Sequence, residues 1–226
     1  MPVSVNPWAT LEDRPPYVLP RDAPLVQAFN RSSKGDEPYT VHVDVPPTPF
    51  TGNLDGSVVL LNLNPGYSDM HPQEFSDRAY RSAVLANLRQ DTLRHTFMLL
   101  DPIWQQAKAG HRWWSLKARE LVESAGLDAV TSQLLVVEWF PYHSRKFRDL
   151  PQLLPSQQFG FDVARRAMDR GAIIVAMRSF AKWKAAVPRL TDYPEYSELR
   201  NVQNPTLSRG NCAEGVFDRM VTALRR

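Results

Sequence analysis

Residues 57–68 run Ser57-Val58-Val59-Leu60-Leu61-Asn62-Leu63-Asn64-Pro65-Gly66-Tyr67-Ser68. The first seven are nearly unbroken aliphatic residues, the pattern of a strand buried on both faces of a parallel sheet. Pro65-Gly66 then makes a tight turn, which would aim Asn64 and the nearby amides at one point above the sheet. An asparagine there can hold a water or read a base edge, because its amide both donates and accepts. A plain structural turn with a self-capping asparagine accounts for the same residues.

Outward from this stretch the pattern repeats. Further apolar runs lie at 133–139 (QLLVVEW), 172–178 (AIIVAMR) and 199–203. Amphipathic stretches separate them. Trp114, Ala118, Leu121, Val122 and Ala125 form one helical stripe, Phe161, Ala164 and Met168 a second, and Val216, Met220, Val221 and Leu224 a third. Alternating strand and helix signals predict right-handed crossovers and an α/β fold, a three-layer α/β/α sandwich around a central four-stranded parallel sheet. In such sheets ligands bind beyond the carboxyl ends of the strands.

The last run exits into Asn204-Pro205-Thr206-Leu207-Ser208-Arg209 just before the final helix. Small hydroxyls and amides there favour contact with phosphate oxygens. Leu207 would be an apolar tip shaped to wedge into a base stack, or an incidental leucine in a helix start. The middle run ends Glu138-Trp139-Phe140-Pro141-Tyr142-His143-Ser144. A carboxylate among Val136, Val137, Trp139 and Phe140 should be partly desolvated, with its pKa raised. Glu138 is therefore either a general acid or base in a pocket or a structural partner of Arg145 or Arg178. His143 precedes Arg145, Lys146 and Arg148, a strand-contact patch or a solvated basic loop.

Asn64-Pro65-Gly66-Tyr67-Ser68 resembles the G-I-N-P-G-L-S loop of the uracil-DNA glycosylase superfamily, in its mismatch-specific uracil and thymine branch. Residues 204–209 resemble that branch's N-P-S-G-L-S-R motif, one residue shorter. The resemblance covers the architecture of residues 57–226, and its motifs span about a dozen residues. It implies a monofunctional DNA glycosylase that flips a damaged, deaminated or modified base into a pocket above the sheet and hydrolyses its glycosidic bond. Asn64 would position the hydrolytic water, with Glu138 as the second catalytic candidate. Asn62, Pro65, Gly66, Tyr67, Phe140 and His143 would surround the base, and Phe75 or Tyr80 would stack on it. Asn204, Pro205, Thr206, Leu207, Ser208 and Arg209 would hold the strand, joined by Arg145 and Lys146.

The departures matter. Asn62 replaces a glycine of the motif, Thr206 replaces a serine, and the following glycine is missing. Asn64 and Asn204 stand where the efficient uracil enzymes carry aspartate and histidine, so slow, positioning-based catalysis is expected on uracil. Glu138 lies where an asparagine usually reads the uracil edge. A non-catalytic relative that binds nucleic acid or a modified nucleotide in the same cleft is the alternative.

Composition narrows the field. The 226 residues carry 43% hydrophobic and 23% charged residues, which suits one ordinary globular domain. No G-x-G-x-x-G, P-loop or G-x-S-x-G motif is present, which removes the main sequence support for nicotinamide redox, NTP hydrolysis and serine hydrolysis. The five histidines lack metal-ligand spacing, so neither a metal nor a cofactor is expected. The single cysteine, Cys212, excludes a four-cysteine zinc site and the cluster-bearing branches of the resembled superfamily, and reads as a core or capping residue. His111-Arg112-Trp113-Trp114 reads as a helix start packing aromatics. The N-terminus has no basic or apolar leader and no run is long enough to span a membrane. A cytoplasmic monomer with DNA as its partner is the expectation.

Ten of the 19 prolines lie in residues 1–50. That segment has four cations against six anions, a charge of −2, which leaves +5 of the net +3 in the body. Residues 1–50 are therefore predicted to form an extended proline-rich arm packed on a single 51–226 domain, with a short helix near Ala23–Asn30. A proline-rich ligand for another protein is the rival reading.

Overall fold

The computed structural model describes residues 5–104 and 108–226, so the first four residues of the arm lie outside it. Its centre is a five-stranded sheet. The strands are β1 (Phe50–Gly52), β2 (Val58–Asn62), β3 (Leu134–Glu138), β4 (Ile173–Ala176) and β5 (Tyr196–Glu198). They lie in the order β1-β3-β2-β4-β5. β3, β2, β4 and β5 are mutually parallel, and β1 runs antiparallel along the outer edge of β3. The parallel strands were legible as apolar runs because each central strand is buried on both faces.

Two details depart from the prediction. The sheet has five strands because β1 adds a three-residue antiparallel edge, pairing Phe50 with Val137 and Gly52 with Leu135. Gly52 has φ of 110°, and a Cβ there would lie 2.1 Å from the Leu134 carbonyl oxygen, so this close approach requires glycine. The final strand is Tyr196–Glu198, earlier than the predicted 199–203. Leu199 still donates to Ala176, but then Asn201 turns the chain by accepting from the amides of Gln203 and Asn204. Local side-chain bonds outcompete the ladder there.

Nine α-helices are formed by the described residues: α1 (Ala23–Asn30), α2 (His71–Ser76), α3 (Arg78–Arg89), α4 (Ala109–Lys117), α5 (Arg119–Ala125), α6 (Leu127–Gln133), α7 (Gln157–Asp169), α8 (Phe180–Ala186) and α9 (Val216–Leu224). The 114–125 stripe is two helices. The chain breaks at Ala118, and the Lys117 carbonyl accepts from Leu207. The helix start at His111 packs Trp113 against Trp114 at 4.7 Å between centroids, as predicted.

Strand alternation sends side chains to two cores. Val59, Leu61, Leu135, Val137 and Ile174 join the first, with α7, Trp183 and arm residues Trp8, Leu19, Val26 and Phe29. Val58, Leu60, Leu134, Val136 and Val175 join the second, with Trp114, Leu121, Met220 and Cys212. Among the described residues no helix is long and apolar enough to cross a membrane.

Candidate functional site

The register places two polar residues side by side where the central strands end. Asn62 is opposite Glu138 across the β2–β3 ladder. On the other flank Leu61 pairs with Ala176 and Met177 donates to the Leu61 carbonyl, so the register continues with Met177 beside Asn62 and Arg178 one residue further on. By alternation Asn62 and Glu138 both point to the side of the second core. Asn62 Nδ2 donates to Glu138 Oε1 at 3.1 Å. Asn62 Oδ1, Glu138 Oε2 and Arg178 Nε are each buried without a hydrogen-bond partner. Burial lifts the Glu138 pKa to about 8, against the opposing pull of the Asn62 bond and the Arg178 charge. At neutral pH Glu138 is thus mostly a carboxylic acid, with Oε2 the oxygen left for its proton. It forms no ion pair with Arg178 within 4.0 Å, and Arg145 is engaged elsewhere.

Directly beyond β2, the 64–68 loop is zipped to the segment after β3. Tyr67 N donates to Ser144 O at 3.1 Å and Ser144 N to Pro65 O at 3.3 Å. Asn64 Nδ2 donates to Pro65 O at 2.9 Å and to Ser144 Oγ at 3.0 Å. Both bonds use the nitrogen, so the amide is oriented and Oδ1 remains able to accept. Ser144, which sets this orientation, carried no signal in the sequence because its role arises from a contact 80 residues away. Of the turn amides, that of Tyr67 is already committed, while Gly66 is exposed and a Cβ there would meet nothing within 4 Å.

Several residues expected around a base serve the fold instead. His143 is buried, its ring nitrogens 2.8 Å from the Gly66 carbonyl oxygen and 3.1 Å from that of Pro46. Burial, with a contribution from His71, lowers its pKa to about 4, so at neutral pH the ring carries one N–H and donates to one of these two carbonyls. His71 is also pushed down to about 4, chiefly by burial, and its Nδ1 accepts from Ser68 N. Phe75 and Tyr80 are 5% and 4% exposed, packed with Val45, Val84 and Met98, and present no open face for stacking. Phe140 lies in the first core against Tyr142 and Phe147. Pro65 is buried as well. Tyr67 is the partly exposed ring of the group. It stacks on His42 at 3.4 Å between centroids and donates to Asp44.

The 204–209 loop has Leu207 pointing inward. That side chain is fully buried in the second core, so it is not the projecting tip the motif predicted. The bond from Leu207 N to Lys117 O ties the loop to the end of α4 and holds this side chain under the surface. Asn211, not singled out from the sequence, staples the loop. Its Nδ2 donates to the carbonyls of Thr206, Asn204 and Asn201, while Oδ1 accepts from Asn201 N. Thr206 Oγ1 and Ser208 Oγ are 3.4 Å apart. Lys117, also missed, donates to Asn204 Oδ1 at 2.6 Å and brings a cation to the loop. The exposed apolar residues flanking this pair are Leu116 and Val202, 65% and 40% exposed.

The predicted cations are mostly paired. Arg209 bonds Asp218, and Arg145 bonds Asp69 with Glu37 nearby. Lys146 is exposed and forms no ion pair among the described residues. Arg148 lies 3.5 Å from the Tyr39 ring and donates to Lys34 O. Two concavities, of about 210 and 320 Å³, lie along the arm beside α1, not at the strand ends. No group of three or more His, Cys, Asp or Glu among the described residues is arranged to hold a metal. No family model, curated protein or solved structure matches the chain.

Proposed function

We propose that this protein is a DNA glycosylase-like hydrolase. It would flip a damaged, deaminated or modified base to the carboxyl ends of β2, β3 and β4 and cleave its N-glycosidic bond. The fold reading that goes with it is a three-layer α/β/α sandwich with a four-stranded parallel core of the uracil-DNA glycosylase type. The observation that carries the proposal is the oriented Asn64 amide, with Oδ1 left to accept, two residues beyond the Asn62–Glu138 pair.

In this reading Asn64 Oδ1 accepts from a water and aligns it on the sugar carbon. Positioning alone can lower a barrier substantially, but an amide cannot take the proton. Neutral Glu138 cannot act as the base either, and its role is to hydrogen-bond the base and stabilise it as a leaving group. The C1′–N bond breaks with its electron pair leaving on the base, water supplies the new C1′–O bond, and the water proton is released to solvent. Extruding the nucleotide costs a few kcal/mol, offset by phosphate and base-edge contacts. Lys117, Lys146 and the small hydroxyls of Thr206 and Ser208 are the groups present for phosphate. No cofactor is needed for this chemistry.

A single-turnover assay on duplex and single-stranded DNA containing uracil, hypoxanthine, xanthine or mismatched thymine tests the reading. Abasic product on at least one substrate is expected. Binding without product on any of them would leave the second reading, a non-catalytic binder. The raised pKa of Glu138, which leaves it mostly neutral at pH 7, favours that second reading.

A further inference from the structure

We propose that the groove along α1 is a docking site for an acidic, apolar segment of a partner protein. The segment would set leucine or phenylalanine side chains next to aspartate or glutamate. The groove lies on the arm, away from the strand ends, so a failed test there leaves the glycosylase reading untouched.

Leu25, Ala28, Phe29 and Ser32 recur at the spacing of one helical face and form one wall. Leu150 and Pro151 stand on the other side, across a concavity of about 320 Å³. Ser32 Oγ donates to the Phe29 carbonyl, so that hydroxyl is spent within the wall. Leu25 and Leu150 are half-buried, and Ala28 and Pro151 are exposed. Leu153, just past the lining, is 55% exposed. Apolar side chains thus line an open depression that no described segment of the chain fills, and such surfaces mark interaction sites.

The charge around it has one sign. Lys34 lines the groove, and Arg148 donates to the Lys34 carbonyl. Arg31, about one turn earlier, lines the concavity on the other flank of α1. None of these three cations forms an ion pair among the described residues. The neighbouring acids are spent elsewhere. Buried Asp22 accepts from Tyr142 and Ser156, Glu37 sits beside His42 and Arg145, and Asp149 pairs with Lys182. Asp36 is the exposed acid nearest in sequence. An acidic segment would therefore meet unpaired cations at the end of the groove while its apolar side chains enter the floor.

The dimensions suit a peptide. α1 has eight residues and is about 12 Å long, the reach of about four extended residues. A nucleic acid would need faces on which bases stack. Phe29 is 3% exposed, and the Tyr39 ring is covered by Arg148 at 3.5 Å. The groove therefore offers aliphatic side chains and no open aromatic face.

Random peptide display on the full chain, followed by fluorescence anisotropy with the enriched peptides made synthetically, tests this. Enriched sequences should combine leucine or phenylalanine with aspartate or glutamate. Ala28→Trp fills the groove from an exposed helix position and should weaken their binding at least about tenfold. Lys34→Glu should weaken it about fivefold at low salt, and added salt should shrink that difference. Thermal melts identify any variant that fails to fold, and the wild-type selection is decisive without variants. No enrichment, enrichment of sequences without acids, or binding unmoved by Ala28→Trp overturns the proposal. Two further results also overturn it, each pointing to another occupant. One is binding of a labelled single-stranded oligonucleotide that Ala28→Trp abolishes. The other is self-association of the wild-type chain in sedimentation that the same substitution abolishes.

Discussion

Glu138 follows four buried aliphatic residues, 134–137, and its pKa rises because the carboxylate would be ionised in the same apolar surroundings. The folded state therefore holds this proton more tightly than the unfolded chain. Below about pH 4.5 the group is protonated in both states and its stability contribution is fully present. That contribution is lost as pH rises through about 8, with a slope of up to about 1.4 kcal/mol per pH unit. Glu138→Gln should match wild type at low pH and melt at higher temperature at pH 8–9, a difference visible in thermal melts across pH. His71 and His143 work in the opposite direction. Both are lowered to about 4, so their contribution is present above about pH 6.5 and is lost as pH falls toward 4. His143→Gln melts should therefore fall less steeply than wild type over that acid range. At the reacting centre, Asn64→Ala should slow single-turnover cleavage by roughly 100-fold with DNA affinity nearly unchanged. An unchanged rate would remove Asn64 from the water-positioning role. Glu138 was legible as a buried acid from its neighbours in sequence. Ser144 was not, because its value to Asn64 comes from a contact across 80 positions.

At the scale of elements, the loops define the site more than the strands do. The 64–68 loop is zipped to the segment after β3, and the 204–209 loop is stapled by Asn211 and tied to the end of α4 through Lys117. Leu207 anchors the second loop in the core. Leu207→Ala should cost about 2–5 kcal/mol in denaturant unfolding, the range for a buried leucine, whereas a projecting wedge would cost little stability. Val202→Ala should change stability by less than about 0.5 kcal/mol. The three central strands were legible because two-sided burial writes an apolar run. β1 was missed because three residues after Pro46, Pro47 and Pro49 carry no period, and β5 was displaced because its partly exposed edge residues alternate weakly. The break at Ala118 was invisible in the helical stripe, because both helices keep the same face inward across it.

Across the whole molecule, the proline-rich segment is continuous with the first core. Trp8 is 1% exposed and packs edge-on against Tyr142, and buried Asp22 accepts from the Tyr142 hydroxyl and from Ser156 N. His42 N donates to His143 O, and Glu138 N donates to Pro49 O, so the segment reaches the residues flanking the site. A 51–226 fragment should therefore fail to give a cooperative melt or dispersed amide NMR spectrum, and Trp8→Ala should cost about 3–5 kcal/mol in the full chain. A stable, dispersed fragment would show that the arm is dispensable. The sequence by itself determined the parallel α/β character, the principal helical faces, the helix at Ala23–Asn30 and the burial of Glu138. Each depends on neighbours within a few positions, where apolar periodicity and chain stiffness act directly. Only the tertiary structure decided that Leu207 turns inward, that Phe75, Tyr80, Phe140 and His143 are packing residues, and that Asn62 and Glu138 are paired. Those outcomes depend on register and close packing between segments about 40 to 120 residues apart, and burial there is assigned by which surfaces meet, not by residue type.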